Sequence, residues 1–347
     1  MLQASAVPLS KGFDLALIDL DGVTYRGPEP VAHAATSLAR ARVDGMGLAF
    51  VTNNASREPE EVSAQLNTLG IEAGSSEVAT SAQAAAALLA TRLTPGARVL
   101  VVGGPGLLTA VRAAGFAVVT SADDAPDAVV QGFAPEVGWR ELAEAAYAVA
   151  RGAWYVATNR DMTLPNERGL APGNGALVAT VVAATGTQPV SAGKPEPMMF
   201  RLAAQRRGST RTLVVGDRLD TDLAGARAAG FAGLHVFTGV SSARDAVLAV
   251  ADERPSFVGA DLRSLLVPHP APELRSGWWV CDGAAARVDS GALELDPVPR
   301  PDGSVSIATV RSACAAAWSA ADDGAQVDPT RVPDLRVHEP GDDDVDR

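Results

Sequence analysis

Four short apolar runs each end on polar residues, and this pattern organises the chain. Leu15-Ala16-Leu17-Ile18 runs directly into Asp19-Leu20-Asp21-Gly22-Val23-Thr24. Leu48-Ala49-Phe50-Val51 is followed by Thr52-Asn53-Asn54. Pro189-Val190-Ser191-Ala192-Gly193, the weakest of the four, leads into Lys194-Pro195. Thr212-Leu213-Val214-Val215-Gly216 ends at Asp217, with Asp222 just beyond. Short apolar runs bounded by turn residues read as buried strands. In an open parallel sheet, ligands bind outside the carboxyl ends of the strands. These ends would gather carboxylates, a hydroxyl and an ammonium in one crevice.

Strand-like and helix-like segments alternate through most of the chain, which argues βαβ units and an α/β fold. Helices are expected at 58–69, 80–93, 106–114, 139–151, 176–185, 197–207 and 220–229. Strands are expected at 98–102, 128–131, 154–157 and 233–237, with a loop over 158–175. Two polar ends precede residue 60 and two follow residue 190. Residues 90–188 carry an alternation of their own, so a second α/β module is read as inserted into the first. The expected division is a Rossmann-like parallel-sheet core over 1–89 and 189–268, an inserted cap over 90–188, and a small α+β extension over 272–347. Pro268-His269-Pro270-Ala271-Pro272 reads as the linker to that extension. Beyond it, 278–281 and 286–288 suit a hairpin about Asp282-Gly283, 305–320 a helix and 335–337 a last strand. The acidic end, Gly341-Asp342-Asp343-Asp344, is expected to be disordered.

Composition narrows the function classes. The 347 residues suit about two or three domains. No apolar stretch approaches the roughly 18 residues of a membrane span, and MLQASAVPLSKGF lacks the form of a secretory signal. Cys281 and Cys314 make neither a metal spacing nor a disulfide framework. A soluble, cytoplasmic protein is the reading. The net charge of -12 argues against nucleic acid as a partner. A small phosphate ester remains compatible, because a bound cation inverts the local field. Of 29 basic residues, only Lys11 and Lys194 are lysines, which draws attention to Lys194.

The chemistry follows from residue types. Asp19 suits a nucleophile that forms an aspartyl-phosphate, and Asp21 suits the acid and base that serves the leaving alkoxide and then water. Anionic groups facing a phosphate call for a divalent cation, and Mg²⁺ with carboxylate ligands fits. A calcium loop is the competing idea, but Val23 and Pro30 stand where its spacing wants polar and acidic ligands. Thr52, Asn53 and Asn54 suit donors to phosphoryl oxygens, or else a cap for the next helix. Lys194 suits charge balance, or a surface Gly-Lys-Pro turn. Asp217 suits a metal ligand, and Asp222 a cap or a supporting partner of the metal site. Val101-Val102-Gly103-Gly104-Pro105-Gly106 lacks the full dinucleotide fingerprint and reads as a turn in the cap. His33, His235, His269 and His338 form no catalytic set with Ser and Asp.

DLDGVTYRG, FVTNNAS, AGKPEPMMF and VVGDRLDTDLAGA resemble the four signatures of the haloacid dehalogenase-like phosphohydrolases. The insertion falls between the second and third, as in the C2-capped branch, and the likeness spans residues 13–262. GDRLDTD and ATNRDMTLPNERGLAPGNGAL are similar to the phosphoglycolate, glycerol phosphate and pyridoxal phosphate phosphatases of that branch. The pattern with its tail is most similar to the actinobacterial glycerol 3-phosphate phosphatases. The resemblance implies Asp19 as nucleophile and Asp21 as acid and base. It implies Mg²⁺ on Asp19, the Asp21 carbonyl and Asp217, with Thr52 and Lys194 holding the phosphoryl group. Gly22, Asn53, Asn54, Asn159, Arg160, Asp161 and Asn174 are the expected substrate-binding residues. Leu164 stands where similar pyridoxal phosphate phosphatases tend to carry His, which disfavours that substrate. The expectation is a Mg²⁺-dependent phosphatase for glycerol 3-phosphate, then 2-phosphoglycolate or another small sugar phosphate, with room for a homodimer through the cap. A regulatory binding protein with a vestigial core, and a phosphomutase, are the rivals. The crevice is complete before the linker, so a chain cut at residue 272 is expected to keep its chemistry.

Overall fold

The computed structural model describes residues 1–166, 168–325 and 327–338, and the acidic end at 341–344 lies outside them. The chain forms two compact units, residues 1–48 with 207–347 and residues 49–206.

In the first unit, strands Leu15–Asp19, Thr212–Gly216, Ala232–Val236 and Phe257–Gly259 lie side by side and parallel. Leu15, Ala16, Leu17 and Ile18 are all buried. That is why the run does not alternate: a parallel strand is covered on both faces. Ile18 pairs with Val215, so these two paired strands stop at the same level and release Asp19 and Asp217 together. The helix read from Asp220 to Ala229 instead begins with a π-helical turn, Leu219–Leu223, before the α-helix Ala224–Ala229. Such wide turns often occur at functional sites.

The C-terminal extension belongs to this unit. Glu273–Arg275, Trp278–Cys281, Ala284–Asp289 and Ala292–Asp296 form an antiparallel meander. Ser276-Gly277, Asp282-Gly283 and Ser290-Gly291 join its strands, each with positive φ at both residues, the geometry of two-residue primed hairpin turns. Helix Ile307–Asp322 packs on the meander, and Trp318, Val310 and Cys314 share one core with Leu219, Leu223, Val247 and Val258. The linker is anchored rather than free. His269 is buried and bridges antiparallel to Ser5. Its Nε2 lies 2.7 Å from the Ser264 carbonyl, and its Nδ1 lies 3.1 Å from the Arg311 guanidinium. Its burial, its hydrogen bond and the adjacent Arg311 charge give a net pKa of about 4. A local pattern of three prolines reads as a spacer because it says nothing of this long-range packing.

In the second unit, strand Gly47–Thr52, which enters from the first, pairs parallel with Val78–Thr80. A separate five-stranded parallel sheet has the order 190–191, 154–157, 128–131, 98–102, 117–119. Its core joins Leu100, Val129, Tyr155, Val178 and Val181. The strand before Lys194 is an edge of this sheet, paired with Val156 and Ala157. Two paired residues carry too little pattern to reveal their sheet. The loop expected over 158–175 contains an antiparallel hairpin, Thr163–Asn166 with Gly169–Pro172. Pro165 hides it, since proline cannot donate to a ladder and survives only where no donor is needed. Among the described residues, no helix is long and apolar enough to cross a membrane.

Candidate active site

The first unit brings three predicted carboxylates together. Asp19, Asp217 and Asp222 each offer an oxygen within 4.8 Å of the others. Asp217 and Asp222 are almost wholly buried. Carboxylates this close in a low-dielectric setting repel one another strongly. A divalent cation relieves that cost, and an all-oxygen donor set suits a hard ion. Asp222 is expected to cap a helix or to support the metal site. The π-helical turn holds its carboxylate beside the other two, and its Oδ2 accepts from the Arg218 amide at 3.2 Å.

The space around Asp217 is built for it. A Cβ on Gly239 would lie 1.8 Å from Asp217 Oδ2, and one on Gly22 would lie 2.4 Å from the same atom. Gly22 also has φ of +81°, a region that favours glycine. The Val240 amide donates to Asp217 Oδ2 at 2.7 Å, and the Ser241 amide donates to its main-chain carbonyl at 3.0 Å. Thr238 Oγ1 donates to the Gly22 carbonyl at 2.6 Å, and Arg26 Nε donates to the Thr238 carbonyl at 2.6 Å. Behind this loop, His235 lies between the Gly216 and Ser241 carbonyls, and burial pushes its pKa down to about 4. Sequence reasoning missed the 238–241 loop. Its only signal is a Thr-Gly turn after a strand, which is common. Asp21 is exposed at the tip of a tight turn in which the Gly22 amide donates to the Tyr25 carbonyl at 2.8 Å.

The second unit gathers another set. Thr52 is buried at its strand end, and its hydroxyl accepts from the Asn54 amide at 3.1 Å. Asn54 Oδ1 accepts from the Ser56 amide at 2.9 Å and from the Ser56 hydroxyl at 2.8 Å. These residues make their own turn and do not cap the next helix, whose N-cap is Glu58. Asn53 is the hub. Its side chain contacts the Lys194 backbone and the Asp161 carboxylate, and its carbonyl accepts from Asn159 Nδ2 at 2.8 Å. Asn174 Nδ2 donates to the Asn159 carbonyl at 2.7 Å. Arg160 stands exposed between Asn159 and Asp161. Lys194 is buried, not a surface lysine. Ser81, absent from the predicted set, donates its hydroxyl to the Asn53 carbonyl at 2.6 Å. The Gly-rich turn at 103–106 packs on Ser56 and Arg57, and the Gly106 amide donates to the Ser56 carbonyl at 3.0 Å. A cleft of about 370 Å³ lined by Arg92, Asp127, Trp154 and Gln188 sits at the amino ends of the strands. It is at the wrong end of the sheet for this chemistry.

Comparison with known proteins agrees with this geometry. Residues 16–117 match the family model of haloacid dehalogenase-like hydrolases, and residues 191–265 match a second, HAD-hydrolase-like model. The D-glycerol 3-phosphate phosphatase of Mycobacterium tuberculosis is 46% identical over 318 residues, 90% of this chain and 88% of that protein. The acid sugar phosphatase of Staphylococcus saprophyticus is 41% identical over 234 residues, 67% of this chain and 89% of that one. The crystal structure of the M. tuberculosis glycerol phosphate phosphatase in complex with magnesium superposes with a TM-score of 0.82 at 43% identity, covering 96% of each chain. With these likenesses and the three-carboxylate site, the chain belongs to the haloacid dehalogenase-like hydrolases.

Proposed function

We propose that this hydrolase is a Mg²⁺-dependent phosphatase of small phosphomonoesters, with glycerol 3-phosphate as its substrate. The observation that carries the reading is the cluster of Asp19 and Asp217 at paired strand ends with Asp222 in the turn that follows, and exposed Asp21 two residues after Asp19. The M. tuberculosis relative supplies the ester and the metal.

Asp19 Oδ attacks phosphorus, and the bond to the ester oxygen breaks. Asp21 gives its proton to the departing glycerol alkoxide. Asp21 then takes a proton from water, whose oxygen attacks the phosphorus of the aspartyl-phosphate. Phosphate leaves and Asp19 is restored. Thr52 and Lys194 hold the phosphoryl oxygens, and the ammonium offsets their growing charge. The Asp19 and Asp217 carboxylates and the Asp21 carbonyl would hold the metal, with Asp222 beside them. When bound, Mg²⁺ supplies the positive charge that lets an anionic ester approach a carboxylate nucleophile.

We assign the core to 1–89 and 189–268, the cap to 90–188 and a C-terminal extension to 272–347. The cap reading is supported by the self-contained sheet and core of that segment. A cap excludes water and presents Asn159–Asp161 to the leaving group. We further place the protein in the cytoplasm, with no nucleic-acid partner, as a homodimer through the cap. Trp139 and Tyr147, both exposed on helix Trp139–Ala150, support the dimer, which light scattering of the purified chain checks.

The test is phosphate release after EDTA treatment, with and without added Mg²⁺. Arms with the two glycerol 3-phosphate enantiomers, 2-phosphoglycolate and a sugar phosphate rank the esters. Activity is expected only with Mg²⁺, and folded Asp19→Asn should release no phosphate, because an amide is a poor nucleophile. Metal-free turnover, or a fully active Asp19→Asn, overturns the reading.

A further inference from the structure

Asn53 spends its hydrogen-bonding capacity inside the protein. Its Oδ1 accepts from the Lys194 amide at 2.9 Å. Its Nδ2 donates to the Lys194 carbonyl at 3.2 Å and to Asp161 Oδ2 at 3.0 Å. A side-chain amide has two N–H donors, and both are engaged. Its main-chain carbonyl accepts from Asn159 Nδ2 and from Ser81 Oγ. One residue therefore ties together the strand end at Thr52, the start of helix Ser81–Ala90, the Asn159–Asp161 loop and the turn that carries Lys194.

The contact with Lys194 is of a particular kind. The same amide group grips both the N–H and the C=O of one residue. That two-point contact restrains φ and ψ at Lys194 and so sets the direction in which its side chain leaves the backbone. The third bond, to a carboxylate, is charge-assisted and of the stronger class. It makes the setting of Lys194 depend on the position of Asp161.

We propose that Asn53 is a positioning residue that locks the Lys194 backbone to the Asp161 loop, rather than a donor to the phosphoryl group. The proposal rests on the phosphatase reading only in giving Lys194 a phosphoryl group to hold. Partners of this supporting kind are typically worth about 10–100-fold in function.

The experiment is a reciprocal exchange in the full chain: Asn53→Asp, Asp161→Asn and the double variant, read by kcat/KM for nitrophenyl phosphate and by thermal midpoint without metal or substrate. Asn53→Asp should lose about 10–100-fold, because it faces a second carboxylate in place of a donor. The double variant rebuilds the contact in reverse, with the amide on residue 161 donating to the carboxylate on residue 53. It should exceed the product of the single effects by about tenfold or more, and its midpoint should recover in parallel. A direct phosphate donor predicts the opposite, since a carboxylate at residue 53 repels phosphate whatever stands at 161. A double variant no better than the product of the singles overturns the proposal. If Asn53→Asp does not fold, Asn53→Ser replaces it. Asp161→Asn should then cost less in the Asn53→Ser background than in the natural chain, and an equal cost overturns the proposal. If the natural chain hydrolyses no ester, the phosphatase reading fails, and the coupling of midpoints alone decides whether the lock exists.

Discussion

Asp21→Asn leaves the nucleophile and the main-chain carbonyl of residue 21 in place, so its defect isolates proton transfer. General acid–base help is worth about 10²–10⁴-fold. The loss in kcat should be large for glycerol 3-phosphate and much smaller for nitrophenyl phosphate, whose leaving group needs little protonation. Equal losses for both esters remove Asp21 from that role. Gly239→Ala tests the cradle of Asp217. Its Cβ would sit 1.8 Å from Asp217 Oδ2, so the carboxylate or the loop must move. The concentration of Mg²⁺ for half-activity should rise by about 10-fold or more, in line with changes in groups that support metal ligands. Titrating Mg²⁺ against phosphate release measures it. The chemical residue types were legible here because Asp19, Asp21, Thr52, Lys194 and Asp217 each follow an apolar run. Gly239 was not, because its constraint comes from a residue 22 positions away.

At the scale of elements, the linker offers a pH test. His269 is buried as the neutral ring, with Nε2–H donating to Ser264 and Nδ1 facing Arg311. Unfolded, it takes a proton near 6.5; folded, burial holds its pKa down to about 4. The unfolded chain therefore binds more protons between these values, so its contribution to stability is whole above pH 6.5 and is lost as pH falls toward 4. The thermal midpoint should drop across that window, and His269→Gln should flatten the drop. A residual slope is expected from His235, whose pKa is lowered in the same direction. An unchanged slope in His269→Gln excludes this account. The elements differ in how readily they could be read. Strands 98–102, 128–131 and 154–157 have the expected bounds, because each carries a mostly buried apolar run. Hairpin 163–172 did not show, because Pro165 breaks its pattern, and the run at 189–193 read as a strand without revealing its sheet, because a two-residue pairing leaves almost no periodic signal.

For the whole molecule, the extension is the decisive test. Trp318 is fully buried, its Nε1 donates to the Ala246 carbonyl at 3.1 Å, and it shares a core with Leu219 and Leu223 of the turn that carries Asp222. Removing residues 272–347 uncovers that core. Such a patch favours aggregation, so the retained activity expected from sequence should come with a lower thermal midpoint and lower soluble yield. Trp318→Ala should destabilise the full chain by about 3–5 kcal/mol, as large-to-small core changes do. Chemical denaturation of the two chains measures it. A truncation as stable as the full chain shows that the extension is an independent body.

Sequence alone determined the α/β class, the order of the chemical residues and the family, since these reside in apolar runs, turn residues and short signatures read along the chain. Tertiary structure decided which side chains meet. The π-helical turn sets Asp222 beside Asp19 and Asp217, where its place in sequence suggested a cap or a supporting partner of the metal site. The Asn53 amide faces Lys194 and Asp161, although its neighbours suggested phosphate. His269, among the prolines, pairs with Ser5 and contacts Arg311, although its segment reads as a linker. Each of these outcomes depends on partners distant in sequence. A local pattern encodes the periodicity and turn chemistry of one segment, but it carries no record of which distant segment will pack against it.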